Sequence, residues 1–476
     1  MKKVNPIASR HQPARRNLSM LFLVRSAAFC GAVFLIISCN QPKIETADSS
    51  PLETSVDSLI KPWLDSAKIA GASIAVYKEG KPMLFKSYGY ADLEHDVKLP
   101  VNASFEIGSV TKQFTCVAIF QLVEQGKLSL DDDFTKYVKF DTKGRKVTVQ
   151  QLMNHTSGIK GYTEMEAFMS IAAHKLKRDT LLRLVEKEPF DFEPGTALIY
   201  NNSGFFILGL IIEKITGISY EEYVQKNLFE KIGMSNSYYC SKTKVTKNRA
   251  HGYDMGDKGL QQATYIDHTW PYSAGSLCST AEDLAKWNDA LHNGKVLSEE
   301  MYKKLLNPAK LSDGSVARYA NGLTITKVHG KRRIEHGGGI PGFLSANVYF
   351  PDDKISITVL MNTTGPVSPG KVSDFIADNL FGKDPDESGS YSGDLAKFNG
   401  VFNGPARGKS LRLTVTNNDT TLFVQHDNDK LVALKYVNDQ WTNNEQIYQF
   451  VENNGAVEQV RIDQVYGYYI LKKATK

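Results

Sequence analysis

Residues 108–123 read GSVTKQFTCVAIFQLV, so that a serine and a lysine stand three positions apart at the start of an apolar run. The apolar residues recur at helical spacing and predict a helix that Ser109 could cap. Lys112 would lie in the first turn, where the helix dipole disfavours a cation by roughly 0.3–1 kcal/mol. The spacing of three residues would place the Lys112 amine beside the Ser109 hydroxyl. Burial and the helix field would lower the pKa of Lys112, so that the amine could accept the proton of Ser109. Ser109 and Lys112 are therefore predicted to be a nucleophile and its base.

The Ser-x-x-Lys spacing has little weight by itself, because it recurs at Ser58/Lys61 and Ser241/Lys244. The first recurrence lies inside an amphipathic helical pattern, and the second lies in a polar run with no apolar face. Only the pair at 109 and 112 opens a predicted helix directly after a glycine.

Two further clusters are candidates for the same site. Tyr200-Asn201-Asn202 precedes a predicted helix at 205–215, where Tyr200 could relay the serine proton and Asn202 could bind a substrate amide. A plain turn with a helix cap explains this cluster as well, and Tyr-x-Asn recurs at Tyr319/Asn321 and Tyr436/Asn438. The second cluster, His336-Gly337-Gly338-Gly339, is either a flexible turn or a side-chain-free strand against which an acyl or peptide chain can lie.

In this order, Ser109-Val110-Thr111-Lys112, Tyr200-Asn201-Asn202 and His336-Gly337-Gly338 resemble the three motifs of the serine β-lactamase-like family. This family includes class C β-lactamases, D-Ala-D-Ala carboxypeptidases, D-aminopeptidases and related esterases. The resemblance implies an α+β fold, in which an antiparallel sheet flanked by helices adjoins an all-helical lobe. A small all-β, barrel-like domain is expected to follow, and it resembles the lipocalin-like appendage of some members.

The resemblance also implies a role for each site residue. Ser109 would be acylated, Lys112 and Tyr200 would transfer protons, and Asn202 would hold the substrate amide. His336, Gly338 and Gly339 would form the substrate and oxyanion wall, with the N–H groups of Ser109 and Gly339 as oxyanion donors. His336 stands where many members have lysine, and an imidazole is mostly neutral at pH 7. In this respect the chain resembles the peptidase and esterase branches.

The first 39 residues are predicted to be an export signal. Basic residues precede a twelve-residue apolar run, too short for a membrane anchor. The run ends in Ile36-Ile37-Ser38-Cys39, which resembles the lipobox of bacterial lipoproteins, so Cys39 would carry the lipid. We therefore expect a lipoprotein held at the membrane by Cys39, on the periplasmic side or the cell surface. The predicted organisation is a signal peptide at 1–38, a tether at 39–54, a hydrolase domain at 55–383, a linker at 384–394 and a β domain at 395–476.

Composition excludes several other classes. The net charge of +5 includes six basic residues within 1–38, and without them 51 basic residues face 52 acidic ones, a net of −1. A near-neutral body gives no footprint for nucleic acid. Five scattered cysteines argue against a disulfide framework, and neither a metal site nor a cofactor is expected. The stretch 404–410, GPARGKS, is one residue short of a phosphate-binding loop. It also leads into a predicted strand and not into a helix, so the sequence predicts no nucleotide site there.

The favoured function is a serine hydrolase that forms an acyl-enzyme on Ser109 with a peptide, amide, ester or β-lactam substrate, a small molecule or a cell-wall fragment. One alternative is a penicillin-binding sensor that is acylated without turnover. Another is a lipid-tethered scaffold whose β domain binds a partner.

Overall fold

The computed structural model describes residues 49–241, 243–383, 388–443 and 445–474. The predicted signal peptide, Cys39 and the tether up to residue 48 lie outside these described residues. The α-helices are α1 Pro51–Asp65, α2 Thr111–Glu124, α3 Val149–Met153, α4 Phe168–Ile171, α5 Arg178–Lys187, α6 Asn202–Thr216, α7 Tyr220–Val224, α8 Glu230–Ile232, α9 Tyr272–Gly275, α10 Ala281–His292, α11 Glu299–Leu305 and α12 Pro369–Phe381. Single 3-10 turns occur at Gly108–Val110, Phe134–Lys136, Tyr162–Glu164 and Ala396–Phe398, and a π-helical turn occurs at Gln225–Phe229.

The strands up to residue 364 are β1 Gly71–Lys78, β2 Lys81–Asp92, β3 Val97–Lys98, β4 Phe105–Glu106, β5 Leu198–Ile199, β6 Tyr238–Tyr239, β7 Tyr253–Gly256, β8 Gly259–Gln262, β9 Leu277–Ser279, β10 Thr324–Val328, β11 Lys331–Ile340, β12 Phe343–Phe350, β13 Ile355–Met361 and β14 Thr363–Thr364. The C-terminal strands are β15 Gly400–Ala406, β16 Lys409–Asn417, β17 Leu422–His426, β18 Val432–Ala433, β19 Lys435–Val437, β20 Gln440–Thr442, β21 Ile447–Asn453, β22 Ala456–Gln464 and β23 Gly467–Lys473.

The central sheet joins strands from the two ends of the segment 71–361. Its order is β10-β11-β12-β13-β1-β2-β3, so β1 pairs with β13 although most of the helices lie between them in the chain. Alternate residues of β1 point to opposite faces, because side chains alternate across a strand. Helices α1 and α12 cover one face, with α10 and the helical lobe on the other. The predicted α+β architecture is confirmed.

Helix α2 runs through the middle of the helical lobe. It is buried on nearly every side, from Thr111 to Phe120 and at Leu122, and it packs against α6 and α9. Its N-terminus faces strands β11 and β12 through the turn Gly108–Val110. The start of α2 therefore lies at the junction between the lobe and the sheet.

The C-terminal strands form a nearly closed, nine-stranded antiparallel barrel-like sheet, as predicted for this region. Its two edge strands, β18 and β19, follow each other directly in the chain, which brings the ends of the sheet together. The interior is apolar, and seven of its residues are fully buried: Phe402, Leu413, Leu422, Val424, Val460, Ile462 and Leu471.

The barrel packs directly on the α+β region that precedes it. Strand β5 pairs with β23, with Ile199 opposite Gly467 and Leu198 opposite Tyr468. Leu198 and Tyr468 also belong to a small apolar cluster that includes Tyr319. Strand β5 immediately precedes Tyr200, so the barrel adjoins the predicted site.

One disulfide is present that the sequence did not predict. Cys240 and Cys278, 38 positions apart, lie with their sulfur atoms 2.09 Å from each other. In the described part of the chain, no single helix is both long and apolar enough to cross a membrane. A pair bent by 79°, Asn202–Thr216 with Tyr220–Ile232, meets that length and composition criterion together.

A buried polar network ties α2 to the central sheet. Asn347 of β12 exchanges two hydrogen bonds of 2.8 and 2.9 Å with Asn288 of α10, and its Nδ2 donates to Oε1 of Gln113 at 3.2 Å. Thr358 of β13 donates to Oδ1 of Asn347 at 3.0 Å. Since buried polar groups are costly when unpaired, this network fixes the orientation of α2.

Replacing Asn347 by leucine should lower the free energy of unfolding by about 3 kcal/mol, because the amides of Asn288 and Gln113 lose buried partners. Urea denaturation measures this change. Asn293→Leu, an exposed position near the end of α10, is the control and should change it by less than about 0.5 kcal/mol. Equal effects for the two variants would contradict an anchoring role for the network.

Candidate active site

Ser109 lies in the turn that leads into α2, beside strand β11. The preceding residue, Gly108, has a φ of +50°, and a Cβ there would lie 2.9 Å from the backbone nitrogen of Gly339. Glycine is required because it adopts a positive φ without strain and allows this close approach. Ser109 remains partly accessible and lies next to the glycine-rich strand, as the motif order predicted.

Lys112 is fully buried and points back at Ser109. Its Nζ lies 3.1 Å from Oγ of Ser109, 2.8 Å from Oδ1 of Asn202 and 2.8 Å from the carbonyl oxygen of Ala274. Burial is the main cause that holds the pKa of Lys112 well below its ordinary value, and the positive charge of Arg407 lowers it further.

The hydrogen-bond partners of Lys112 match a neutral amine. The oxygens of Asn202 and Ala274 can only accept, so they use the two N–H donors of an uncharged NH₂ group. The lone pair is then left for the third partner, the Ser109 hydroxyl, which can donate its proton. In its neutral form, Lys112 could in this arrangement act as a base toward Ser109.

Tyr200 places a buried phenol on the other side of Ser109. Its ring centre is 4.8 Å from Nζ of Lys112, and its hydroxyl faces that of Ser109. Among the described residues, the Tyr200 hydroxyl has no hydrogen-bond partner within ordinary limits. Burial raises the pKa of Tyr200, so the phenol keeps its proton at neutral pH. A buried, protonated and unpartnered phenol is suited to donate a proton to a bound molecule.

Asn202 is the first residue of α6, which Asn201 caps by accepting from the backbone N–H of Gly204. Oδ1 of Asn202 accepts from Lys112, and its Nδ2 donates to Oγ1 of Thr163 at 3.1 Å. The side chain thus orients Lys112 and is itself oriented by Thr163. Sequence reasoning assigned Asn202 only to a substrate amide.

Strand β11 presents backbone N–H groups to the site. The N–H of Gly337 points away from β12 and donates to the hydroxyl of Tyr466 at 2.6 Å. Because N–H directions alternate along an antiparallel strand, the N–H of Gly339 points the same way, toward Ser109. A Cβ at Gly338 would lie 2.1 Å from the carbonyl oxygen of Ile107, so only glycine fits there.

The imidazole of His336 is buried and forms its hydrogen bonds within the protein. It is 1% exposed, its Nε2 lies 3.1 Å from the hydroxyl of Tyr319, and its Nδ1 lies 2.6 Å from the carbonyl oxygen of Gly337. Burial and the nearby Lys112 lower the pKa of His336 to about 3. Both ring nitrogens are occupied within the protein, so the imidazole has no free nitrogen for a substrate group.

A continuous hydrogen-bond chain sets the tautomer of His336. The backbone N–H of Asn201 donates to Nδ1 of His155, so Nε2 of His155 carries the proton and donates to Tyr319. Tyr319 then donates to Nε2 of His336, which leaves the proton on Nδ1. The sequence alone indicates no role for His155 or Tyr319. Tyr319 belongs to one of the two further Tyr-x-Asn sequences, Tyr319/Asn321.

Two residues of the barrel also reach the site. Tyr466 lies with its ring centre 5.7 Å from that of Tyr200, and Cζ of Arg407 lies 5.0 Å from the Tyr200 ring centre. Arg407 belongs to the stretch 404–410, which in the structure forms strand β15 and its turn into β16. No local pattern marks either residue, because only packing of the barrel brings them near Ser109.

Potential metal ligands lie elsewhere among the described residues. Asp92, Glu94 and His251 place ligand atoms within 4.8 Å of one another, and none of them belongs to the site around Ser109. Glu94 accepts hydrogen bonds from Tyr253 and Gln262.

Known proteins share this architecture. The octameric penicillin-binding protein homologue from Pyrococcus abyssi superposes with a TM-score of 0.63 at 25% identity, covering 88% of this chain and 99% of that one. Such coverage must extend into the barrel. The D-amino acid amidase from Ochrobactrum anthropi SV3 has a TM-score of 0.62 at 22% identity, over 70% of this chain and 99% of that one, a likeness of fold alone.

Sequence comparison gives the family. Protein flp of Staphylococcus aureus (strain MRSA252) is 27% identical over 323 residues, 66% of this chain and 64% of the relative, so this chain spans just under two thirds of that relative's length. The putative penicillin-binding protein PbpX of Bacillus subtilis (strain 168) is 28% identical over 319 residues, 67% of this chain and 76% of that protein. A family model described as Beta-lactamase matches residues 56–380. The chain belongs to the beta-lactamase family.

Proposed function

We propose that this protein is a serine hydrolase that forms an acyl-enzyme on Ser109 with an amide, peptide, ester or β-lactam substrate. The observation that carries the proposal is the 3.1 Å contact between the Ser109 hydroxyl and a fully buried Lys112 amine. The other two partners of that amine can only accept hydrogen bonds. None of the three hydrogen-bond partners of Lys112 is a carboxylate, so burial of the amine disfavours its charged form, as a general base requires.

Acylation begins with proton transfer from Ser109 to the neutral Lys112 amine. The serine oxygen bonds to the substrate carbonyl carbon, and the carbonyl oxygen takes the negative charge. In this proposal the N–H groups of Ser109 and Gly339 bind that oxyanion, and preorganised backbone donors of this kind cost no rearrangement during the reaction.

Collapse of the intermediate releases the leaving group. The carbon–nitrogen or carbon–oxygen bond breaks, and the protonated phenol of Tyr200 supplies the proton to the departing atom. The Lys112 ammonium then returns its proton to Tyr200, which balances the step. Deacylation follows the same route in reverse, with water as the nucleophile.

Charge and sequence similarity both bear on the substrate class. The pKa of His336 is lowered to about 3, so this residue offers no positive charge to a substrate carboxylate. The guanidinium of Arg407, paired with Glu164, is a permanent cation beside the Tyr200 ring. Similarity in sequence to the putative penicillin-binding protein PbpX supports amide and peptide substrates.

We also propose that the protein is exported and anchored through lipid on Cys39. The lipobox-like sequence 36–39 is the main support. The Cys240–Cys278 disulfide is a second, since disulfides persist in oxidising compartments outside the cytoplasm.

Ser109→Ala should abolish covalent labelling by a fluorophosphonate or a fluorescent penicillin, because the nucleophilic oxygen is lost. Labelling is read by gel fluorescence, and turnover by hydrolysis of D-amino-acid amides, p-nitrophenyl esters and nitrocefin. Ser58→Ala, in the exposed Ser-x-x-Lys repeat, is the matched control and should label normally. Labelling that persists in Ser109→Ala would refute the proposal, and labelling without turnover would indicate the sensor instead.

The pH dependence of kcat/KM should follow Lys112 and Tyr200. Activity requires a neutral Lys112, so it should rise as pH increases through the lowered pKa of that amine and be at its plateau below pH 10. Because the pKa of Tyr200 is raised, no loss is expected until beyond the ordinary tyrosine value of 10.0. A rate that climbs only near 10.5, the ordinary lysine value, would contradict Lys112 as the base.

Cys39→Ser should prevent lipid attachment and release the protein from the membrane fraction. Metabolic labelling with an alkyne fatty acid, followed by fractionation, measures both effects. Cys30→Ser, inside the apolar run of the signal, is the control and should be labelled like the wild type. A Cys39→Ser protein that still carries lipid would overturn the anchoring proposal.

A further inference from the structure

The C-terminal barrel contributes two side chains, Arg407 and Tyr466, to the surroundings of Ser109. Arg407 lies in the turn between β15 and β16, and Tyr466 lies in the turn between β22 and β23. Packing of the barrel on the catalytic region is supplied by β5 and the apolar cluster around Leu198 and Tyr468. The polar groups of these two side chains, the hydroxyl of Tyr466 and the guanidinium of Arg407, form hydrogen bonds with Gly337 and Glu164.

Arg407 is linked to Lys112 by an unbroken series of hydrogen bonds. Nε of Arg407 donates to Oε1 of Glu164 at 2.6 Å, and Oγ1 of Thr163 donates to the same carboxylate at 2.8 Å. Thr163 in turn accepts from Nδ2 of Asn202, whose Oδ1 accepts from Lys112. Every donor meets an acceptor, so the orientation of the Asn202 amide is set from the barrel side.

The charges at the start of this series act on the same amine. The guanidinium of Arg407 lies over the Tyr200 ring, and its positive charge lowers the pKa of Lys112, whereas the Glu164 carboxylate raises it. Arg407 is 43% exposed and Glu164 is 11% exposed, so solvent screens the arginine more than its partner. The pair thus combines a geometric link with two opposed charges.

Tyr466 contacts strand β11 at Gly337 and His336. Its hydroxyl accepts from the N–H of Gly337, while the carbonyl oxygen of the same glycine accepts from His336. The ring of Tyr466 lies 5.0 Å from the His336 ring and 5.7 Å from the Tyr200 ring, centre to centre. Both polar groups of Gly337 are thereby fixed, two residues before the proposed oxyanion donor at Gly339.

We propose that the C-terminal barrel completes the active site, with Arg407 and Tyr466 acting as positioning residues for acyl transfer at Ser109. Arg407 acts through Glu164, Thr163 and Asn202 on the base, and Tyr466 acts through Gly337 on the oxyanion strand. The inference rests on the proposed function, and it makes the barrel part of the catalytic machinery, not a separate binding module.

The first test compares Arg407→Gln with Glu164→Gln in the full-length protein. The acylation rate constant with a fluorophosphonate is measured against pH, and the Lys112 side chain is titrated directly by NMR of ¹³C-labelled lysine. The Lys112 signal is assigned by its loss in Lys112→Gln. Arg412→Gln makes the same charge change on β16, where the side chain is exposed, and serves as the control.

Opposite shifts are expected. Removing the positive charge in Arg407→Gln should move the acid limb and the Lys112 titration to higher pH by about one unit. Removing the negative charge in Glu164→Gln should move both to lower pH, and Arg412→Gln should move neither. Shifts in one direction for both variants, or none, would overturn the role of Arg407, because a merely structural pair gives no opposed signs.

The second test is Tyr466→Phe, which keeps the ring and removes the acceptor for Gly337. The acylation rate constant should fall by ~10-fold with little change in the Lys112 titration, because the oxyanion strand is displaced while the base is not. Tyr436→Phe, where the hydroxyl bonds to the exposed Asp439, is the control and should acylate at the wild-type rate. An unchanged rate in Tyr466→Phe would overturn the second half of the inference.

Failure of the inference is distinguishable from failure of the proposed function. If the wild type is acylated at Ser109 but the variants behave like their controls, the function stands and the barrel is not part of the site. If the wild type shows no Ser109-dependent acylation, the function fails. The NMR titration then still decides whether Arg407 and Glu164 act on Lys112, since it needs no substrate.

Discussion

Burial of the Lys112 amine against the Ser109 hydroxyl is the constraint on which the rest of this structure depends. A charged ammonium in that position would be strongly destabilising, so the surroundings favour the neutral form. The cause is burial, and two acceptor oxygens, one from Asn202 on α6 and one from Ala274 on α9, hold the amine in place. Helices from separate parts of the chain must therefore meet at one atom, and the packing of α2 against α6 and α9 makes this possible.

The same site is enclosed from three directions. The helical lobe supplies the base, the central sheet supplies the glycine strand, and the barrel supplies Arg407 and Tyr466. The proximity of Gly108 to Gly339 shows how tightly lobe and sheet approach, since a Cβ at Gly108 would lie 2.9 Å from the backbone nitrogen of Gly339. Such close contacts hold a reactive group within a fraction of an ångström, which acyl transfer requires.

Much of the fold could be predicted because the signals were local. Two apolar runs, at 345–350 and 355–361, flank the turn residues Pro351-Asp352-Asp353-Lys354; this pattern predicts a hairpin, and the runs form β12 and β13. Sequence patterns are less informative where tertiary contacts set the geometry. The run at 431–437, LVALKYV, has the pattern of one strand, but it forms two short strands, β18 and β19, because the chain joins the two edges of the barrel there. Strand β15 went unrecognised, since glycine and proline interrupt its pattern.

The sequence by itself determined the family, the α+β class, and the group formed by Ser109, Lys112, Tyr200 and Asn202. It did so because side chains three positions apart on a helix must be neighbours, and because ordered motifs are specific where single ones are not. Only the tertiary structure decided that His336 bonds inward to Tyr319, and that Arg407 and Tyr466 face the site. Those residues are far from Ser109 in the chain, and no local pattern encodes contacts that arise when a barrel packs onto a separate sheet.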